Sequence, residues 1–273
     1  MTRPFLKLRV TAAMLFNSMF ALLLSLMVHG PLIGDEPMTL RVMTYNIHHG
    51  AGMDGKLDLP RIAEVIKRVK PDVVALQEVD LKTGRAQGVD QAAELGKLTG
   101  LHSAFGKAMD FDGGEYGEAL LSRWPLEEVR VIELPKADGA EPRCILTARV
   151  QADGERPAFV FAGTHLEHAQ AQLCLCQAGK LGSYLADSKG LSVILAGDLN
   201  AEFDSLPLTV LRRHYAVAAT ESLPTFPADQ PRKSLDHVLY RPTSAWQVVE
   251  TQVVDESAAS DHRPLLVVLQ RRS

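Results

Sequence analysis

The chain has 273 residues, 46% hydrophobic and 23% charged, which is globular composition and excludes disordered, collagen-like and low-complexity readings. Its formal charge is −4, and residues 1–30 contribute Arg3, Lys7 and Arg9 with no acid, so the remainder carries −7. A net-acidic body argues against gripping nucleic acid by bulk electrostatics, which needs clustered Lys and Arg, and three cysteines are too few for a disulfide scaffold.

Residues 10–28 carry no charge, are rich in Leu, Met, Ala and Phe, and follow Lys7 and Arg9. A basic region ahead of an apolar run is the layout of an export signal. The run is long enough for an uncleaved membrane anchor as well. Asn17, Ser18 and Ser25 weaken it as a span, and His29-Gly30-Pro31 breaks it. Residues 1–34 are therefore expected to be a signal peptide or N-terminal anchor. The mature chain is expected to be secreted or periplasmic, with membrane association through that segment as the rival. Residues 38–273 are expected to form one domain, acting as a monomer.

After a polar linker at 34–37, residues 40–45 read as a strand stopping at Asn46-Ile47-His48-His49-Gly50. Residues 59–69 have helical apolar spacing (Ile62, Val65, Ile66, Val69) and end before Pro71. A short apolar strand over 73–76 leads into Gln77-Glu78, and Asp90 caps a helix closed by Gly100. Strands follow at 119–122, 129–134, 144–150 and 159–164, then a helix over 169–186 and a buried strand over 193–196. The last strands are 235–240, 248–254 and 265–269. There is no internal repeat. The reading is one mixed α/β domain of two packed sheets covered by helices.

The polar residues collect at strand ends, where a rigid scaffold holds loops that build sites. Asn46 and Glu78 follow the first two strands, His165 follows 159–164, and Asp198 and Asn200 follow 193–197. Asp236-His237 open a late strand, and Ser260-Asp261-His262 precede the last. Oxygen-rich, cysteine-free ligands suit Mg²⁺ or Mn²⁺ and fit zinc poorly. Asp198 beside Asn200 suits polarising a water while an amide donates to an oxyanion, and a histidine near two acids is oriented and held protonated.

These segments resemble the endonuclease/exonuclease/phosphatase superfamily, the deoxyribonuclease I-like group. The matching stretches are Thr44-Tyr45-Asn46-Ile47, Leu76-Gln77-Glu78-Val79-Asp80, Tyr116-Gly117-Glu118-Ala119-Leu120-Leu121-Ser122-Arg123, Gly163-Thr164-His165-Leu166, Gly197-Asp198-Leu199-Asn200-Ala201, Leu235-Asp236-His237 and Ser260-Asp261-His262. They run in the family's order across residues 39–270. The resemblance implies a four-layer α/β/β/α sandwich of two mixed sheets flanked by helices, with the site at one sheet edge. It implies Glu78 as the main metal ligand, with Asn46 and Asp261 beside it. Asp198 would position or deprotonate the attacking water, and Asn200 would orient it and contact the phosphate. His262, its ring held by Asp236, would bind a phosphate oxygen or handle the proton. His165 would assist the leaving group. This is phosphoryl transfer by charge neutralisation and in-line attack.

Arg143 is a candidate phosphate contact, with a plain salt bridge as its rival. His48 and His49 read as loop or wall residues, and His168 as a surface residue. Many bacterial members carry Arg three residues before the helix glutamine, Gln177; here that position is Cys174, which puts a loop-bracing arginine in doubt. Cys144, Cys174 and Cys176 read as reduced packing residues. The leading reading is an exported Mg²⁺- or Mn²⁺-dependent hydrolase of a phosphodiester or phosphomonoester, on a small-molecule or lipid-headgroup substrate. The alternatives are an extracellular nuclease on DNA or RNA and a non-catalytic binding protein on the same scaffold.

Overall fold

The computed structural model describes residues 1–2, 38–153, 157–186, 188 and 190–272. The chain divides into two units, Met1–Glu36 and Pro37–Ser273. The expected signal or anchor and the linker before residue 38 lie outside the described residues.

The second unit builds strands β1 (Thr39–Asn46), β2 (Val73–Leu81), β3 (His102–Phe111), β4 (Gly114–Ser122), β5 (Leu126–Glu133) and β6 (Cys144–Val150). It continues with β7 (Phe159–His165), β8 (Ser192–Asp198), β9 (Ala216–Val217), β10 (Asp236–Arg241), β11 (Trp246–Val253) and β12 (Leu265–Arg271). Its helices are α1 (Leu59–Val69), α2 (Gln91–Thr99), α3 (Ala171–Ala186) and α4 (Leu206–Leu211). Two six-stranded sheets result, ordered β11-β12-β1-β2-β4-β3 and β5-β6-β7-β8-β10-β9. Each holds one parallel pair bridged by a helix: β1 and β2 through α1, and β7 and β8 through α3.

Alternation of side chains along the strands explains the layering. Leu40 and Val42 on β1, Val73 and Ala75 on β2, Phe159 and Phe161 on β7, and Ile194 and Ala196 on β8 form a core between the sheets. The opposite faces carry Met43, Tyr45, Val74 and Leu76, which pack on Ile62 and Ile66 of α1 and Leu95 of α2. Across the molecule, Val193 and Leu195 pack on Ala178, Leu181 and Leu185 of α3 and Leu208 of α4. The order is helix, sheet, sheet, helix, as the family resemblance implies.

Local chemistry sets the helix ends. The Asp58 carboxylate accepts from Arg61 N at 2.9 Å to cap α1, with Pro60 in the first turn, and the Asp90 carboxylate accepts from Ala93 N at 3.0 Å to cap α2. Gly100, with φ of 74°, closes α2. Three elements differ from the sequence reading. β3 was not expected, because its polar residues and Gly106 leave this edge strand without regular apolar alternation. α4 and β9 were not expected either, being six and two residues long, too short for a periodic signal. Cys144 and Cys174 are buried as expected, whereas Cys176 is exposed and is no packing residue.

Candidate active site

Four strands deliver polar side chains to one end of the inter-sheet space because their inward positions outrun the apolar core. On β1 the series Leu40, Val42, Thr44 ends on Asn46, and on β7 Phe159 and Phe161 lead to His165. On β8 Ile194 and Ala196 lead to Asp198, and on β10 Tyr240 and Val238 lead back to Asp236. Strand register sets His165 and Asp236 on either side of Asp198. Gly197 permits this close pairing, since a Cβ there would lie 2.1 Å from Thr164 O.

Glu78 arrives differently. β2 pairs Leu76 with Ala119 and then Val79 with Gly117, so one extra residue bulges out of the ladder. Glu78 takes φ of +58°, a region that side chains rarely adopt. Its Oε1 accepts from Asn46 Nδ2 at 2.9 Å, and Asn46 Nδ2 also reaches Asp198 Oδ2 at 3.2 Å. Asn46 thereby ties the two carboxylates across the sheets.

Asp198 is the hub. Its Oδ1 accepts from Asn200 N at 2.9 Å, which folds the chain back as a local turn. Its Oδ2 lies 3.6 Å from His262 Nε2 and 3.5 Å from His165 Nε2. His262 Nδ1 lies 2.9 Å from Asp236 Oδ2, which also accepts from Thr225 Oγ1 at 2.6 Å. Asp236, Asp198 and His262 are all buried. Burial disfavours charge on the ring, but the Asp236 and Asp198 carboxylates outweigh it and raise His262 to about 10. Burial pushes the Asp198 carboxyl upward, and the His262 charge opposes it. The result is a buried imidazolium clamped between two carboxyl groups.

His165 has the opposite electrostatics. Burial, with Arg143 beside it, holds its pKa well below the ordinary value. Arg143 Nη1 lies 3.0 Å from His165 Nδ1, so one ring nitrogen faces the guanidinium while the other lies 3.5 Å from Asp198 Oδ2. Arg143 also pairs with Glu141 at 2.7 Å. Arg143 is thus salt-bridged, and it lines the same cavity as His165. Asn200 lies 3.0 Å from His165 Nε2 and donates to Leu166 O at 2.9 Å.

A cavity of about 520 Å³ opens onto the array, walled by Glu78, Arg143, His165, Asp198, Asn200, Asp261 and His262. Every residue expected in the site thus falls in or against one space, Asn46 and Asp236 through their hydrogen bonds to its lining. His168 is exposed, as expected, and stands at the cavity wall. Gln177 does the bracing that Cys174 cannot: it accepts from Glu167 N at 2.8 Å and donates to Pro135 O at 2.9 Å.

Sequence reasoning gave no role to Arg85 and Phe226 of the cavity wall, nor to buried Glu118 and Thr225. Arg85 grips Asp80 with two bonds at 2.7 and 2.9 Å and lies 4.4 Å over the Phe111 ring. Phe226 lies 4.8 Å from the His262 ring. Glu118 is fully buried on β4, where burial raises its pKa well above the ordinary value. A glutamate between Gly117 and Ala119 in an apolar strand was a legible signal; Thr225, in an irregular loop, gave none.

The donor set suits a divalent cation. Glu78 and Asp261 offer carboxylate oxygens to the cavity, and Asn46 stands beside Glu78 with its amide nitrogen on that carboxylate and its oxygen accepting from His48 N. His48 and His49 stand beside Glu78, one potential ligand atom from each lying within 4.8 Å of the others. Burial, with Arg85 and His48 close by, lowers His49 to about 4, leaving it a neutral imidazole. Asp198, Asp236 and His262 make a second such group, but there the ring nitrogens already face carboxylates.

Similarity to known proteins agrees with this architecture. The Escherichia coli (strain K12) uncharacterized protein YbhP is 28% identical over 247 residues, covering 84% of this chain and 96% of that one. An endonuclease/exonuclease/phosphatase from Beutenbergia cavernae superposes with a TM-score of 0.72 at 28% identity, over 85% of this chain and 72% of that one. A mannosyl-6-phosphatase of Bacteroides thetaiotaomicron shares the fold with a TM-score of 0.70 at 18% identity, over 84% of this chain and 99% of that one. A family model described as Endonuclease/Exonuclease/phosphatase family matches residues 43–262, and the chain belongs to that family.

Proposed function

We propose that this protein is an exported, divalent-metal-dependent phosphoesterase acting on a small-molecule or lipid-headgroup phosphoester. The observation that carries the reading is the buried Asp236–His262–Asp198 array opening beside Asn46 and Glu78 into one cavity. A cation held by Glu78, with Asn46 and Asp261 beside it, supplies charge neutralisation on the phosphate oxygens when bound. Asp198 Oδ2 takes the proton of the attacking water, and Asn200 keeps the other oxygen of that carboxylate fixed. His262 presents Nε2–H toward the phosphate, its charge sustained by Asp236 through Nδ1. His165, neutral and held between Arg143 and Asn200, stands beside the phosphate or leaving-group oxygen. Arg143, already bound to Glu141, supplies fixed positive charge.

The charge of the chain, −4 overall, supports a small substrate over a nucleic acid. The charge-free run behind Lys7 and Arg9 supports export. Turnover of a panel of generic phosphodiesters, phosphomonoesters and plasmid DNA, with Mg²⁺, with Mn²⁺ and with chelator, tests the reading. Metal-dependent release of product from a small ester is expected. Cleavage of DNA alone, or turnover unaffected by chelator, would overturn it.

A further inference from the structure

Two imidazoles unused by this reaction scheme stand against Glu78. After β1 the chain makes one tight 3₁₀ turn over His48–Gly50. His48 and His49 both have φ of +46°, and Glu78 has φ of +58°, so all three residues occupy the left-handed region that L side chains rarely adopt. Surrounding bonds enforce the turn. Gly50 N donates to Ile47 O at 2.8 Å, His48 N to Asn46 Oδ1 at 3.0 Å, and Gln91 Nε2 to His49 O at 2.7 Å. Strain held in this way clusters where geometry serves a site.

The turn makes the side chains converge. One ring nitrogen from each histidine and one Glu78 carboxylate oxygen lie within 4.8 Å of one another, and the rings meet edge-on with centroids 4.4 Å apart. His49 Nδ1 is buried and has no hydrogen-bond partner among the described residues. A half-buried imidazole with one unpartnered ring nitrogen, converging with a second imidazole and a carboxylate, is a ligand in waiting. A transition ion about 2.1 Å from each donor needs ligand separations of about 3–4 Å, which small side-chain rotations supply.

We propose that His48 and His49 add two nitrogen donors to the Glu78 metal position, making a His₂–carboxylate site that prefers a transition ion such as Mn²⁺, Fe²⁺, Co²⁺ or Zn²⁺ over Mg²⁺. This rests on Glu78 being a metal ligand, as the proposed function holds. The physical reason is ligand character: Mg²⁺ demands oxygen donors and sheds water reluctantly, whereas imidazole suits the later first-row ions. The expectation of a hard-ion site came from strand-end oxygens alone; the turn places nitrogen beside them.

The test uses the full chain, purified metal-free, with Mg²⁺, Mn²⁺ and Co²⁺ as probes. Calorimetry is expected to show Co²⁺ binding more tightly than Mg²⁺. Pulsed paramagnetic resonance of bound Mn²⁺ is expected to show coupling to histidine ¹⁴N in the unaltered protein, a readout independent of activity and of any variant. His48→Gln and His49→Gln are each expected to weaken Co²⁺ binding at least about 10-fold, the lower end of what even an outer-shell partner costs, with Mg²⁺ affinity changed far less. Mn²⁺ bound without nitrogen coupling, or Co²⁺ affinity untouched in both variants, overturns the inference and leaves the Glu78 reading intact. If Glu78→Gln leaves the binding of every ion unchanged, the underlying metal reading itself falls.

Discussion

Replacing Asp236 by Asn separates a working His262 dyad from a mere structural contact. The carboxamide keeps the shape and an acceptor for Thr225 Oγ1 but removes the charge 2.9 Å from His262 Nδ1. At an effective dielectric of about 20, a unit charge pair at that distance is worth about 6 kcal/mol. Asp198 Oδ2, 3.6 Å from Nε2, remains and retains part of that stabilisation of the imidazolium. A net loss of about 3–5 kcal/mol at the transition state corresponds to a fall of on the order of 10²–10⁴ in kcat, the span of a lost acid–base function. The pH profile supplies the sign. His262 is raised to about 10 in the folded protein, so activity that needs its proton is present at neutral pH and is lost as pH rises through that value. Without Asp236 the alkaline limb of kcat/KM should move down toward the ordinary histidine range. His262→Ala should cost at least as much, and the double variant scarcely more, because groups acting as a unit are non-additive. Steady-state kinetics of the three variants from pH 5 to 10, with calorimetric metal affinity as control, measures this. Multiplicative losses, a fully active Asp236→Asn, or an unmoved alkaline limb would refute the dyad. The rival, a surface pair with Arg232 or Lys233, does not match the geometry: Asp236 is buried, and Arg232 instead bonds Gln230.

Three further outcomes are expected. Glu78→Gln should abolish most activity and weaken Mg²⁺ and Mn²⁺ binding by calorimetry while the metal-free thermal midpoint stays in place; wild-type turnover at limiting metal would contradict the ligand role. Gln177→Ala strips partners from buried Glu167 N and from Pro135 O, so denaturant titration should show about 1–3 kcal/mol of lost stability; an unchanged midpoint would mean that the loop is braced elsewhere. Cell fractionation should find the mature chain outside the cytoplasm, and full-length protein soluble in the cytoplasm would refute export.

Much of this molecule is legible in one dimension, and the reason is the physics of period and punctuation. The cores of strands such as Val73–Leu81 and Ser192–Asp198 are marked by short apolar runs, and α1 by its 3.6-residue spacing and the following Pro71. Asn46, His165, Asp198 and Asp236 are legible as well, because each extends an inward-facing alternation by one step and so must emerge where the core ends. What only the tertiary structure decides comes from positions that break the period or depend on distant partners. The bulge that aims Glu78, and the left-handed turn that brings His48 and His49 against it, replace alternation with strained backbone that no local propensity announces. Thr225 meets Asp236, and Asn46 meets Asp198, across 11 and 152 residues of sequence. The charge state of His262 is likewise a property of the packed sheets: its raised pKa requires two buried carboxyl groups from β8 and β10, which only the folded register sets on either side of one ring.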